Sequence, residues 1–171
     1  MKNTILRFGL YGGITLLVLN LFAWFVLSDT LDYRSSEVVG YISMLIALSP
    51  VFLGIKYYRD NELDGVIGFG KAFRLGLAIA LVPALFMFAY AAIFFQLWGD
   101  EFAAWAEESF KNGPPEAYEQ YLAQMEALGP IMESPFLQGA LMFVTVFLVG
   151  FIVALISAVV LQRKSTSLVA V

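Results

Sequence analysis

The chain has 171 residues, of which 60% are hydrophobic and 14% charged, with a mean hydropathy of +0.79. A soluble domain carries about 25% charged residues, so this composition cannot cover a water-facing surface and points to a bilayer. Cysteine and histidine are both absent, which excludes disulfides, thiolate metal sites and iron–sulfur clusters, and removes the usual histidine base, haem ligand and zinc ligand. A net charge of −4 offers nothing to a nucleic-acid partner.

Four apolar runs follow one another, at about residues 8–27, 38–55, 75–98 and 136–161. Each approaches or exceeds the roughly 20 helical residues that cross a hydrocarbon core of about 30 Å. In lipid every backbone N–H and C=O needs a partner within the segment or within a closed barrel. The runs are continuous rather than alternating at ten-residue spacing, so helices are expected and not barrel strands. The predicted fold class is all-α: one polytopic membrane domain over residues 1–171, with four transmembrane helices and an outer amphipathic segment, residues 99–135.

Lys2 and Arg7 precede the first run as they would a signal peptide. The apolar stretch is too long for one and no A-x-A-like site closes it, so it reads as a retained helix. Gly9 and Gly13 lie four apart in it, with Thr15 and Asn20 as its polar residues. Residues 28–37 form a short polar loop, and the second run, the shortest, holds Ser43, Ser49 and Pro50.

Between the second and third runs stand Lys56, Arg59, Lys71 and Arg74. Asp60, Asn61 and Asp64-Gly65 read as turn residues in the first half of this segment, and its second half opens the third helix. The glycines at 65, 68 and 70 match neither the Rossmann nor the Walker spacing, and no strand precedes them. Ala72, Gly76, Ala80 and Ala84 then repeat at four, and Pro83 removes a backbone donor inside the third run, as Pro50 does in the second; both helices are expected to bend there. Tyr90 and Gln96 are the polar residues of this run.

Gly113-Pro114-Pro115 divides the outer segment. Phe102, Trp105 and Phe110 recur at helical spacing before the break, and Tyr118, Tyr121 and Met125 after it. Two short helices are expected, the first continuing the third span and the second stopping at Gly129-Pro130. Their aromatic face would lie on the bilayer, cap the bundle or dock a partner. Eight acids fall between Asp100 and Glu133, without the spacing of a calcium loop. The fourth run carries Gln138, Thr145 and Ser157, and a third row of small residues: Gly150, Ala154 and Ala158.

Lysine and arginine set the orientation. Eight of the ten basic residues lie at the two ends or in the 56–74 loop, counting Arg163 and Lys164 after the last run. The other two loops hold only Arg34 and Lys111, against Asp29, Asp32, Glu37 and the eight later acids. Both termini are therefore expected in the cytoplasm and both acidic loops outside. No Asp, Glu, Lys, Arg or His interrupts the four cores, which argues against a proton relay, a voltage sensor or a proton-coupled transporter. No spacing singles out catalytic, cofactor or metal residues, and none is assigned.

The run Ile67-Gly68-Phe69-Gly70-Lys71-Ala72-Phe73-Arg74-Leu75-Gly76, following Lys56-Tyr57-Tyr58-Arg59, together with four spans and a long outer segment before the last, resembles the DUF4199 family of bacterial membrane proteins common in Bacteroidota. The resemblance covers about residues 1–164. It implies a multi-pass protein of the bacterial inner membrane, and it supplies no activity, cofactor or catalytic residue.

Small-residue rows let helix backbones approach where lipid gives no hydrophobic drive. Their presence, with the aromatic outer segment, predicts a non-enzymatic protein acting by association, as a small homo-oligomer or an accessory subunit of another membrane protein. The alternative is a small transporter of an uncharged solute or lipid, which requires a continuous polar cavity. A membrane enzyme, the third reading, would need acids gathered near Asp100, Glu101 and Glu133.

Overall fold

The computed structural model describes residues 1–28 and 30–163; Asp29 and Lys164, both used in the charge count, lie outside the described residues. The described residues form five α-helices in order: α1 (Lys2–Phe22), α2 (Tyr33–Glu62), α3 (Phe69–Lys111), α4 (Pro115–Met132) and α5 (Pro135–Leu161). No strand occurs among the described residues, and α1, α2, α3 and α5 are each long and apolar enough to cross a membrane. The exposed side chains of these four are themselves apolar, Ile14, Val18, Leu45, Ile93, Leu148 and Val160 among them. Such a belt would aggregate in water and suits hydrocarbon.

The second, third and fourth apolar runs lie within α2, α3 and α5, and α2 and α3 extend beyond theirs at both ends; the first run fills α1 from Phe8 and continues through a last helical turn, Ala23–Leu27. The 28–37 loop is shorter than expected: α2 already begins at Tyr33, because Asp32 accepts the Ser35 N–H at 2.8 Å and caps the first turn. At its other end α2 continues through Asp60 and Asn61, which were expected to break it. Asn61 donates back to the Tyr57 carbonyl at 3.0 Å and so stays compatible with the helix. The turn falls instead at Asp64 and Gly65, both with positive φ, which glycine adopts without steric cost. Pro50 and Pro83 sit inside helices with helical backbone angles, whereas the one departure within α3 is at Trp98 (φ −130°, ψ 18°).

The third span continues as expected into the outer segment. α3 has 43 residues; its first 30, up to Trp98, span about 45 Å at a rise of about 1.5 Å per residue, which covers a bilayer with its headgroups. Gly113 and Pro114 end that extension, and α4 starts with Pro115 in its first turn, where the missing N–H costs nothing. Gly129-Pro130 does not stop α4, contrary to expectation. The helix runs to Met132, and the Glu133 N–H donates to the Gly129 carbonyl at 3.0 Å, so helical bonding resumes past the proline. Ser134 then caps α5 through the Leu137 N–H.

The bundle packs most tightly at the end where α2 finishes, α3 begins and α5 finishes. Leu48, Val51 and Ile55 of α2 meet Leu75 and Ile79 of α3 and Ala154 and Ala158 of α5 there. The rows of small residues on α3 and α5 face each other across this contact. A Cβ at Gly76 would stand 2.9 Å from that of Ala154, and one at Gly150 would stand 2.8 Å from that of Ala80. Ala72 and Ala158 are fully buried in the same core, and Ala84 is buried with Leu16, Ala47 and Val146. On α1, Gly9 receives the side chain of Val82 and Gly13 the ring of Phe86. All three rows are thus occupied within one protomer, and none is left as an outward seam.

The same end is tied by polar contacts. Arg59, only 6% exposed, donates to the Leu161 carbonyl at the end of α5 and pairs with Asp60 at 2.6 Å. Ile67 and Arg163 exchange backbone hydrogen bonds of 3.2 and 2.9 Å. Thr4 donates to Glu62 at 2.7 Å, joining α1 to the end of α2.

A capped cavity at the α4 end as the candidate functional site

Toward α4 the packing opens. α2 and α5 approach each other at the level of Leu48 and Gly150, but beyond it their facing residues line a cavity of about 480 Å³ shared by all four spans. Its floor is apolar: Leu16, 2% exposed, and Val146, 1% exposed, close it off from the tight half. Four lining residues are themselves exposed and mark the mouth: Glu37 and Tyr41 on α2, Gln124 on α4 and Leu141 on α5. The volume falls in the range of about 300–1,000 Å³ typical of small-molecule sites.

The wall is largely aromatic, with a few polar groups. Asn20 is partly committed, its amide donating to the Leu16 carbonyl at 2.9 Å. Thr145 donates to the Leu141 carbonyl at 3.0 Å. The Tyr90 ring stacks on Phe94 at 5.6 Å, and its hydroxyl, at the cavity wall, makes no hydrogen bond to another described residue. Ser43 lines the same wall. Glu37 is the one charged side chain among the described lining residues.

The roof is built from the outer segment and the end of α1. The last turn of the first span, Ala23–Leu27, widens to a π-helix, which carries Trp24 over the cavity. Its indole packs against Phe94 at 5.1 Å, Phe102 at 5.8 Å and Trp105 at 6.0 Å, so it holds residues on both sides of the Trp98 irregularity. Trp105 donates its indole N–H to the Ser28 carbonyl at 3.1 Å. Tyr33 packs on Phe110 at 4.9 Å, and Phe110 stacks on Tyr121 of α4 at 4.6 Å. Beyond them Glu107 accepts from Lys111 at 2.7 Å and from the Tyr118 hydroxyl at 3.1 Å, which joins the two halves of the outer segment. Those bonds, that from Lys111 foremost, hold the Glu107 carboxyl below its ordinary value.

Of the aromatic residues singled out by periodicity, Phe102 and Trp105 line the cavity, while Phe110, Tyr118 and Tyr121 extend the stack away from it. Met125 is half-buried on α4 and is not part of the lining. The aromatic face of the outer segment therefore turns inward onto α1 and α2. None of the glycines and alanines of the three rows lines the cavity; Ala72, Ala80, Ala154 and Ala158 belong to the packed half and Ala84 to the cluster at the cavity floor. Trp24, Tyr33 and Gly40 are not singled out by the sequence and Glu37 enters only through its charge, although Tyr33, Glu37 and Tyr41 recur at a spacing of four, which aligns them on one helix face.

No curated protein and no solved structure matches this chain. One family of proteins does: the description "Protein of unknown function (DUF4199)" applies over residues 7–163. With four spanning helices and a match over most of its length, the chain belongs to the DUF4199 family.

Proposed function

We propose that this protein binds a compact, lipophilic small molecule in the cavity beneath the α4 cap, with that end facing the outside of a bacterial inner membrane. The observation that carries the reading is the cavity itself: about 480 Å³, apolar at its floor, aromatic at its roof, with a few polar groups in between. The segregation of lysine and arginine supports the orientation. Exposed apolar residues flank the mouth on both sides, Val38 and Ile42 on α2 and Leu137 and Val144 on α5, so entry sideways from the bilayer fits the surface. A through-passage for a solute finds no support, because Leu48, Val51, Ile55, Leu75 and Ile79 fill the other half. Assembly through the small-residue rows finds none either, since the protomer occupies them internally.

Gly40 provides the test. It lines the cavity, and a Cβ built on it meets nothing within 4 Å, so a large side chain there occupies the space without a backbone clash. Native mass spectrometry of the gently extracted protein should show a bound small molecule on the wild type and on Gly40→Ala, and none on Gly40→Phe. An unliganded wild type, or equal retention by Gly40→Phe, would remove the support for a ligand site.

A further inference from the structure

We infer that the ligand carries a positive charge: a single-chain or compact amphiphile with an amine or quaternary ammonium head. The inference rests on the binding reading above and adds the charge of the occupant. Three observations carry it. First, Glu37 is the one charged residue among the described residues that line the cavity, and it sits at the mouth. Second, Glu37 is flanked one turn away on each side by Tyr33 and Tyr41, and the cavity roof adds Trp24, Phe102 and Trp105. Ring faces attract ammonium groups, tryptophan and tyrosine most strongly, and a neighbouring carboxylate adds to that attraction.

The third observation is the field around the mouth. The two loops at this end hold Arg34 and Lys111 as their bases. Lys111 is paired with Glu107 at 2.7 Å, and neither base lines the cavity. Acids outnumber them several-fold there, so an approaching cation is favoured and an anion is not. With no lysine or arginine to pair with a phosphate in the described lining, a phospholipid headgroup fits poorly. An ammonium head between Glu37 and the tyrosine and tryptophan rings, with its alkyl part directed to Met44, Met87 and Leu16, uses the polar mouth and the apolar floor together.

The test compares three probes of equal chain length on the protein in neutral maltoside micelles: an alkyltrimethylammonium, an alkyl alcohol and an alkyl sulfate. Signal from Gly40→Phe is subtracted as partition into the micelle. The ammonium should bind about tenfold more tightly than the alcohol, and the sulfate most weakly. Glu37→Gln should bring ammonium binding close to that of the alcohol and leave alcohol binding unchanged. Saturable alcohol binding without an ammonium preference, or a preference that survives in Glu37→Gln, overturns the inference and leaves the binding reading standing. Absence of saturable binding by every probe removes both.

Discussion

Gly76→Leu is expected to drive α5 away from α3 and to lower stability by about 3 kcal/mol or more, at the upper end of what overpacking costs. The side chain would enter a space where a Cβ alone already stands 2.9 Å from the Ala154 Cβ and 2.9 Å from the Ile55 side chain. The α3–α5 pairing is the most extensive in the bundle, so the loss spreads through the packed half. Gly12→Ala is a smaller change at a tighter place. Its Cβ would lie 2.6 Å from the backbone carbonyl oxygen of Ala47, which cannot rotate aside, and a cost of about 1–3 kcal/mol follows. Gly40→Ala, in open space inside the same helix as Ala47, should be neutral or stabilise by about 0.5–1 kcal/mol through backbone entropy. Thermal unfolding of the three variants in one detergent orders them; a Gly12 variant as stable as the Gly40 variant would mean that α1 does not sit against α2 as described.

Trp24→Ala should have the second large effect, about 3 kcal/mol for removal of a packed tryptophan, and it should act at the opposite end of the molecule. Trp24 contacts Phe94 below the Trp98 irregularity and Phe102 and Trp105 above it. Without it, the outer part of α3 is held by Trp105 on Ser28 and by the Tyr33–Phe110–Tyr121 stack. Limited proteolysis between residues 99 and 132 should therefore accelerate in Trp24→Ala, whereas Trp24→Phe should restore part of the protection. Equal cleavage of wild type and Trp24→Ala would show that the indole is not what holds the cap.

The four spans were legible because continuous apolar runs of this length have no other stable form in lipid. The helical repeat of Phe102, Trp105 and Phe110, then Tyr118 and Tyr121, was legible because residues at such spacings share one face of a helix. It gave a shared face but not its direction: the same stripe would suit a bilayer, a partner or the bundle, and only packing on Trp24 and Tyr33 decides for the bundle. Residues 33–37 read as loop because charge at Arg34 and Glu37 ends the apolar window, although Asp32 just before them is itself an N-cap signal. Gly12 and Gly139 escaped notice because neither belongs to a row at spacing four. Yet a Cβ on either would meet backbone, standing 2.6 Å from the Ala47 carbonyl oxygen at Gly12 and 2.8 Å from that of Phe88 at Gly139. The cavity could not be read at all. It is a relation among faces of helices far apart in sequence, made where α2 and α5 separate, and no local pattern encodes it.

Uptake of a lipophilic molecule by that cavity can be followed by fluorescence. Two of the three tryptophans, Trp24 and Trp105, stand in its wall, so a brominated single-chain amphiphile bound there would quench their emission. Titration of the purified protein should give saturable quenching in the wild type that is lost in Gly40→Phe. Quenching that rises without saturation, identically in both proteins, would contradict a binding site beneath the cap.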